Sequence, residues 1–225
     1  GIPKPLIPIA GVPILEHILM ECKKHEITNI LISVFHRKEK IIEFVGDGSK
    51  FGLKVDYVVE GAPCGTGGAL FLAQERLADN FFVLYADVYS KLDFVQLAKY
   101  HFSNSSDITC VAHPNDHPFD SDLLEYDEFD NIIKLFPKDA PRPEYYQNCA
   151  AAAMYCVSSS IFQIKLGLTK FDLATDLLPK CLDMGLKIKA YHTAEYVKDV
   201  GTPERFKKAL TAIKNKIHIK LDSNQ

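Results

Sequence analysis

Short runs of β-branched and aromatic residues alternate with stretches of helical periodicity along the first half of the chain. This alternation restricts the fold more than any other feature. Asn29-Ile-Leu-Ile-Ser-Val34, Lys54-Val-Asp-Tyr-Val-Val59, Phe81-Phe-Val-Leu-Tyr85 and Ile108-Thr-Cys-Val-Ala112 read as strands. Between them, Pro13 followed by Ile14, Ile18, Leu19 and Cys22 predicts an amphipathic helix with proline in its first turn. Glu39 to Val45 predicts a second, ended by Gly46-Asp-Gly48, and Gly68 to Leu77 and Phe94 to Phe102 two more. Such alternation predicts an α/β fold with a mixed, mostly parallel sheet and helices on both faces.

The second half changes character. Leu123 to Tyr126 and Asn131 to Phe136 read as a hairpin around Asp127 to Asp130. Pro137 to Gln147 carries three prolines and little periodicity, which predicts a surface loop. Ala150 to Val157 is an apolar run that suits a central strand. Helices at Leu173 to Met184 and Pro203 to Lys216 flank a strand near Lys187 to Tyr191. The expectation is one domain over 1–217, with inserted β structure walling a cleft, and a polar, frayed tail over 218–225.

At 225 residues the chain suits one sizeable domain. A net charge of −3, with arginine only at Arg37, Arg76, Arg142 and Arg205, argues against a nucleic-acid binder. No apolar run is long enough to span a membrane, and the beginning has no signal-peptide pattern. Cys22, Cys64, Cys110, Cys149, Cys156 and Cys181 form no C-x-x-C pair and no zinc spacing, so buried reduced thiols in a cytoplasmic protein are expected.

Four segments carry residues suited to chemistry. Gly61-Ala-Pro-Cys-Gly-Thr-Gly-Gly-Ala-Leu70 follows a strand and opens a helix. Free N–H groups there would favour a phosphate or a base edge, while a tight turn with close helix packing accounts for the glycines equally well. Asp87 lies just past the carboxyl end of the Phe81 strand, where open α/β sheets bind ligands, and a carboxylate there suits Mg²⁺. A lone aspartate in that place also reads as a loop or capping residue. In Val197-Lys-Asp-Val-Gly-Thr-Pro-Glu204, Thr202 and Pro203 explain themselves as a helix start. Asp199 does not, and is a candidate second metal carboxylate. Lys4, held between Pro3 and Pro5, is either a point charge for phosphate or an ordinary surface lysine.

In this order the segments resemble the sugar-1-phosphate nucleotidylyltransferase family, closest to guanylyltransferases acting on mannose 1-phosphate or D-glycero-D-manno-heptose 1-phosphate. The resemblance runs from Pro3-Lys-Pro-Leu-Ile-Pro8 through Glu60 to Leu70 and Tyr85-Ala-Asp87 to Asp199-Val-Gly-Thr-Pro203. It implies a three-layer Rossmann-like nucleotidyltransferase fold and nucleotide-sugar biosynthesis, of the kind that feeds cell-surface polysaccharides. It also implies that Lys4 contacts phosphates, that Gly65, Thr66 and Gly67 line the base pocket, and that Asp87 and Asp199 hold Mg²⁺. Lys138 takes the place of the family's sugar-phosphate lysine, and Asn148 that of an asparagine that often binds the sugar. Pro137 stands where the family has glutamate and Ala150 where it often has glycine, both on the sugar side. Family members carry a strand and a Gly-rich loop ahead of the Pro-Lys-Pro segment, and the expectation is that these precede Gly1 in the natural protein.

The reaction so implied is in-line attack by a sugar 1-phosphate on the α-phosphorus of an NTP, releasing pyrophosphate. Glu60 points to GTP, because a carboxylate only accepts hydrogen bonds and guanine's Watson–Crick edge offers adjacent N–H donors. The expected partners are therefore an NTP and a sugar 1-phosphate, with no nucleic acid and no membrane; a homo-oligomer is left open. An inert nucleotide-sugar-binding regulatory subunit is the alternative, though it has no need of paired metal carboxylates. A dinucleotide-dependent oxidoreductase fits worse, since Gly65-Thr-Gly-Gly68 lacks the G-x-G-x-x-G spacing.

Overall fold

A computed structural model describes residues 1–114 and 117–222; the expectation for the last residues of the tail, 223–225, lies outside them. A 3-10 turn at Lys4–Leu6 leads into β1 (Pro8–Ile9) and β2 (Val12–Pro13), a small antiparallel pair. Then come α1 (Ile14–Lys24), β3 (Asn29–Val34), α2 (Lys38–Val45), β4 (Lys54–Val59), α3 (Gly65–Leu72), β5 (Asn80–Leu84), β6 (Val88–Ser90) and α4 (Phe94–Ser103). β7 (Ile108–His113), β8 (Leu123–Tyr126), β9 (Ile132–Phe136) and β10 (Ala150–Ser158) follow. A π-helical turn at Leu173–Leu177 runs into α5 (Leu178–Asp183), and β11 (Ile188–His192), β12 (Val197–Asp199) and α6 (Pro203–Asp222) complete the described chain.

The expected elements are present with shifted ends. α3 starts at Gly65 rather than Gly68 and gives way to a 3-10 turn at Gln74–Arg76. α6 continues through Asp222, so the tail expected from 218 begins as helix.

The six-stranded sheet has the order β11-β7-β10-β8-β9, with β5 also paired to β10. β10 runs antiparallel to β5, β7 and β8, β9 is antiparallel to β8, and β11 is parallel to β7. Four of the six strands of this mixed sheet therefore point one way, with β9 and β10 reversed. β3 and β4 form a separate parallel pair.

Side-chain alternation on the central strands explains why helices cover both faces. Cys110, Tyr155 and Val157 pack with Leu70 of α3 and with Leu178 and Cys181 of α5. Val111, Met154 and Cys156 pack with Phe94 and Leu97 of α4 on the other side. A strand buried on both faces reads as a near-continuous apolar run, which is what Ile108 to Ala112 displays. Its one polar member, Thr109, is fully buried and meets His101 Nδ1 of α4 at 2.9 Å. All six cysteines are free and buried, as their apolar neighbours predicted.

Candidate active site

β5 ends at Leu84 and delivers Tyr85-Ala-Asp87 beyond the carboxyl end of the strand. β6 then runs back as the partner of β12, with Asp199 registered opposite Val88, and the Val200 amide donates to the Asp87 carbonyl at 2.9 Å. That register sets side by side two acidic residues half a chain apart. A methyl group on Gly201 would stand 2.9 Å from Asp199 Oδ1 and 3.0 Å from Asp87 Oδ2, so both carboxylates close over the space a side chain would fill. Burial and the Asp199 charge raise the Asp87 pKa, against the opposing pull of Lys4 and Arg205.

Lys4 is brought there by packing behind it. Ile9 is fully buried with Ile14, Tyr89, Val200 and Ala209, which fixes the first residues against β6 and α6. Thr202 Oγ1 accepts the Arg205 amide at 3.3 Å, so the predicted helix start at Thr-Pro-Glu is present. Arg205, which the sequence marked only as one of four arginines, donates from its guanidinium to Asp199 Oδ2 and to Asp120 Oδ2.

The glycine segment takes the second of the two readings open to it, close packing within the chain. The amides of Gly67 and Gly68 donate to the Phe171 carbonyl at 3.0 and 3.1 Å. The Thr66 amide and hydroxyl both donate to Asp172 Oδ1, at 3.2 and 2.9 Å. The N–H groups expected to be free for a ligand are thus satisfied by the chain itself, with Asp172 supplying the anion that a helix start favours. Gly65 has φ +77°, and a Cβ on it would lie 2.4 Å from the Phe171 carbonyl oxygen. A Cβ on Gly67 would lie 2.5 Å from the Phe171 ring. The glycines here permit close approach of residues 171–172. No local pattern in the sequence announces that contact.

Glu60 accepts hydrogen bonds from Ser33 Oγ at 2.8 Å and from the Cys64 amide at 3.2 Å, so its carboxylate bridges the end of β3 and the glycine loop. Tyr85, which sequence reasoning passed over as a site residue, stands near both Thr66 and Asp87. Burial pushes its hydroxyl up to about 12; it hydrogen-bonds Thr66 and lies within the fields of Asp172, Asp122 and Asp87. Its amide donates at 3.2 Å to the carbonyl of Ala153, which sits at φ 55° where the β10–β7 register slips between Ala151 and Tyr155. Such a bulge re-aims the neighbouring chain, and bulges are frequent beside active sites.

On the far wall, Asp122 Oδ1 accepts the Lys138 amide at 3.0 Å, while the Lys138 side chain is exposed. Asn148 is exposed just before β10, next to Cys149, whose carbonyl accepts the Leu124 amide at 2.8 Å. The structure thus brings Asp87 and Asp199 together around Gly201, with the exposed Lys4 near enough for its charge to act on Asp87. It reaches Thr66 through Tyr85, and places Lys138 and Asn148 along the β8–β9 wall. Among the described residues no cluster of three or more His, Cys, Asp and Glu forms. Two carboxylates are nonetheless what Mg²⁺ takes from a protein when phosphates and water fill its other positions, so Asp87 and Asp199 fit that ion.

Among the described residues no helix is long and apolar enough to cross a membrane. The chain is 31% identical over 207 residues to a mannose-1-phosphate guanylyltransferase of Mycobacterium tuberculosis, covering 91% of this chain and 56% of that protein. It is 28% identical to the low-salt glycan biosynthesis nucleotidyltransferase Agl11 of Haloferax volcanii, covering 90% of this chain and 57% of the relative. The chain spans about half the length of these curated relatives. Among solved structures, HddC from Yersinia pseudotuberculosis superposes with a TM-score of 0.79 at 26% identity, over 94% of this chain and 90% of that one. HddC has also been crystallised with GMP-PN. A putative glucose-1-phosphate thymidylyltransferase from Bacillus anthracis shares the fold, with a TM-score of 0.81 at 19% identity over 93% and 85% of the two chains. Residues 1–216 match the nucleotidyl transferase family, and the chain belongs to it.

Proposed function

We propose that this chain carries the catalytic site of a sugar-1-phosphate nucleotidylyltransferase that uses GTP and a mannose- or heptose-type sugar 1-phosphate. The observation that carries the reading is the meeting of Asp87 and Asp199 around Gly201, within reach of the Lys4 charge. In the reaction an oxygen of the sugar phosphate forms a bond to the α-phosphorus, the bond from that phosphorus to the bridging oxygen breaks, and pyrophosphate leaves. A phosphate monoester is already anionic at neutral pH, so the site needs charge stabilisation and alignment more than a base.

Asp87 and Asp199 would hold Mg²⁺, which would supply charge neutralisation for the phosphates. Lys4 would add a positive charge beside the two aspartates, and Lys138 and Asn148 would serve the sugar phosphate. Glu60, Gly65, Thr66 and Gly67 border the base. The Glu60 carboxylate, held at the loop by Ser33 and the Cys64 amide, can only accept hydrogen bonds, which favours guanine's N–H donors. The guanylyltransferase name of one relative and the GMP-PN complex of HddC support the same base.

The test is pyrophosphate release with Mg²⁺, each NTP being tried against a panel of sugar 1-phosphates. Release with GTP and one sugar phosphate is the expected outcome. Release with UTP or dTTP alone would overturn the base assignment. No release, with nucleotide-sugar still bound, would leave the regulatory-subunit reading standing.

A further inference from the structure

We infer that Arg205 is a built-in counter-cation for Asp199, competing with the divalent ion for that carboxylate and tying it to the turn at Pro118–Asp120. The inference rests on the reading of Asp87 and Asp199 as the metal pair. Both oxygens of Asp199 are already engaged: Oδ1 accepts the Gly201 amide and Oδ2 accepts Arg205 Nη1. The other amino group of the same guanidinium donates to Asp120 Oδ2 and, at 3.3 Å, to the Asp120 carbonyl. The Arg205 side chain is 15% exposed, so its charge is held in place rather than swept through solvent.

Asp87 faces Asp199 across Gly201, where an added Cβ would lie 3.0 Å from Asp87 Oδ2 and 2.9 Å from Asp199 Oδ1. A hard cation entering between the two carboxylates meets, on Asp199, an oxygen already paired with a guanidinium. To bind Asp199 through Oδ2 it must displace Arg205.

The turn at Pro118–Asp120 is gripped from its other side as well. Arg142, in the loop that follows Lys138, donates to the carbonyls of Pro118 and Ser121. A single short turn therefore links the arginine on the metal carboxylate to the loop on the sugar-phosphate wall. Arg205 leaving Asp199 loosens that link when the cation arrives, while the second hydrogen-bonded carboxylate, Asp120, gives the freed guanidinium a place to stay. Arg205 thus acts through Asp199 and is a positioning residue.

The test is direct Mn²⁺ binding by electron paramagnetic resonance, without nucleotide, so that turnover plays no part. R205Q is expected to bind Mn²⁺ about threefold to tenfold more tightly than the parent, the scale of one partly buried arginine–carboxylate pair. R205K, which keeps the charge but loses the forked geometry, is expected to fall between the two. K207Q removes a positive charge from an exposed position of the same helix and is expected to shift affinity less than twofold, which separates direct competition from net charge. Equal or weaker Mn²⁺ binding by R205Q, or an equal gain in K207Q, overturns the inference. D199N reports on the reading beneath it: lost Mn²⁺ binding there supports the metal pair, and unchanged binding overturns that pair and this inference together. Thermal unfolding of each variant confirms that the comparison is made between folded proteins.

Discussion

The Val200 amide donates to the Asp87 carbonyl at 2.9 Å, and this bond locks the end of β12 to the turn after β5. Because it joins main chain to main chain, substituting the flanking acidic side chains leaves it in place. Asp87→Asn and Asp199→Asn are therefore expected to keep the fold while lowering turnover by at least about 100-fold, the scale on which lost transition-state charge stabilisation is felt. Steady-state rates together with far-UV circular dichroism check this. Near-parent activity in either variant would remove it from the metal pair.

The raised pKa of Asp87 gives a pH signature. The folded state holds that proton more tightly than the unfolded chain does, so the contribution to stability is complete below the unfolded value of 3.8 and is lost as pH rises through the folded value. In chelator, Asp87→Asn is expected to unfold at a higher temperature than the parent at pH 7, and the gap should close as pH falls toward 4. A gap independent of pH would contradict the electrostatic account. Added Mg²⁺ is expected to raise the parent's midpoint more than the variant's.

Gly201→Ala would place a methyl group within 3.0 Å of both carboxylates. The expected outcome is a folded protein with turnover reduced at least about tenfold, since small displacements of catalytic groups are costly. A kinetic comparison at saturating Mg²⁺ settles it, and unchanged kcat would mean the carboxylates can part without loss.

Gly65→Ala differs in kind. Its φ of +77° and the Phe171 carbonyl 2.4 Å from the added Cβ predict destabilisation of roughly 2–4 kcal/mol, from overpacking and backbone strain together. Denaturant unfolding measures this, and a loss below about 1 kcal/mol would show that the segment at 171–172 can move aside.

Ala153→Gly is the converse case. Alanine at φ 55° in the β10 bulge sits where glycine is unstrained, so the substitution is expected to be neutral or to stabilise by up to about 1 kcal/mol. A loss of stability in the same unfolding assay would show that packing of the methyl group outweighs the strain.

The strands and helices of the layered core were legible because burial on both faces leaves a strong local mark, as in Ile108 to Ala112 and in the spacing of Ile14, Ile18, Leu19 and Cys22. The reversed direction of β10 was not, because an apolar run such as Ala150 to Val157 looks the same in either direction. Asp87 could be singled out by its place after a strand, and Asp199 because the helix start at Thr202 left it unexplained. Their pairing lies in a three-residue register, Val88 opposite Asp199, too short to leave a period in the sequence. Asp172, Tyr85 and Arg205 escaped notice for a related reason. Each acts through a partner distant in the chain, and none departs from what its own element would carry anyway.

The pairing of β6 with β12 also orders events during synthesis. Asp87 and the sheet around it leave the ribosome long before Asp199, and domains begin to fold as their residues emerge. Until Val197–Asp199 arrives, β6 has no partner and the acidic pocket only half its charge. A nascent or prematurely terminated chain can thus assemble much of the scaffold, and, on the proposed metal role of the pair, would hold a divalent ion poorly until the strand that closes the pair arrives.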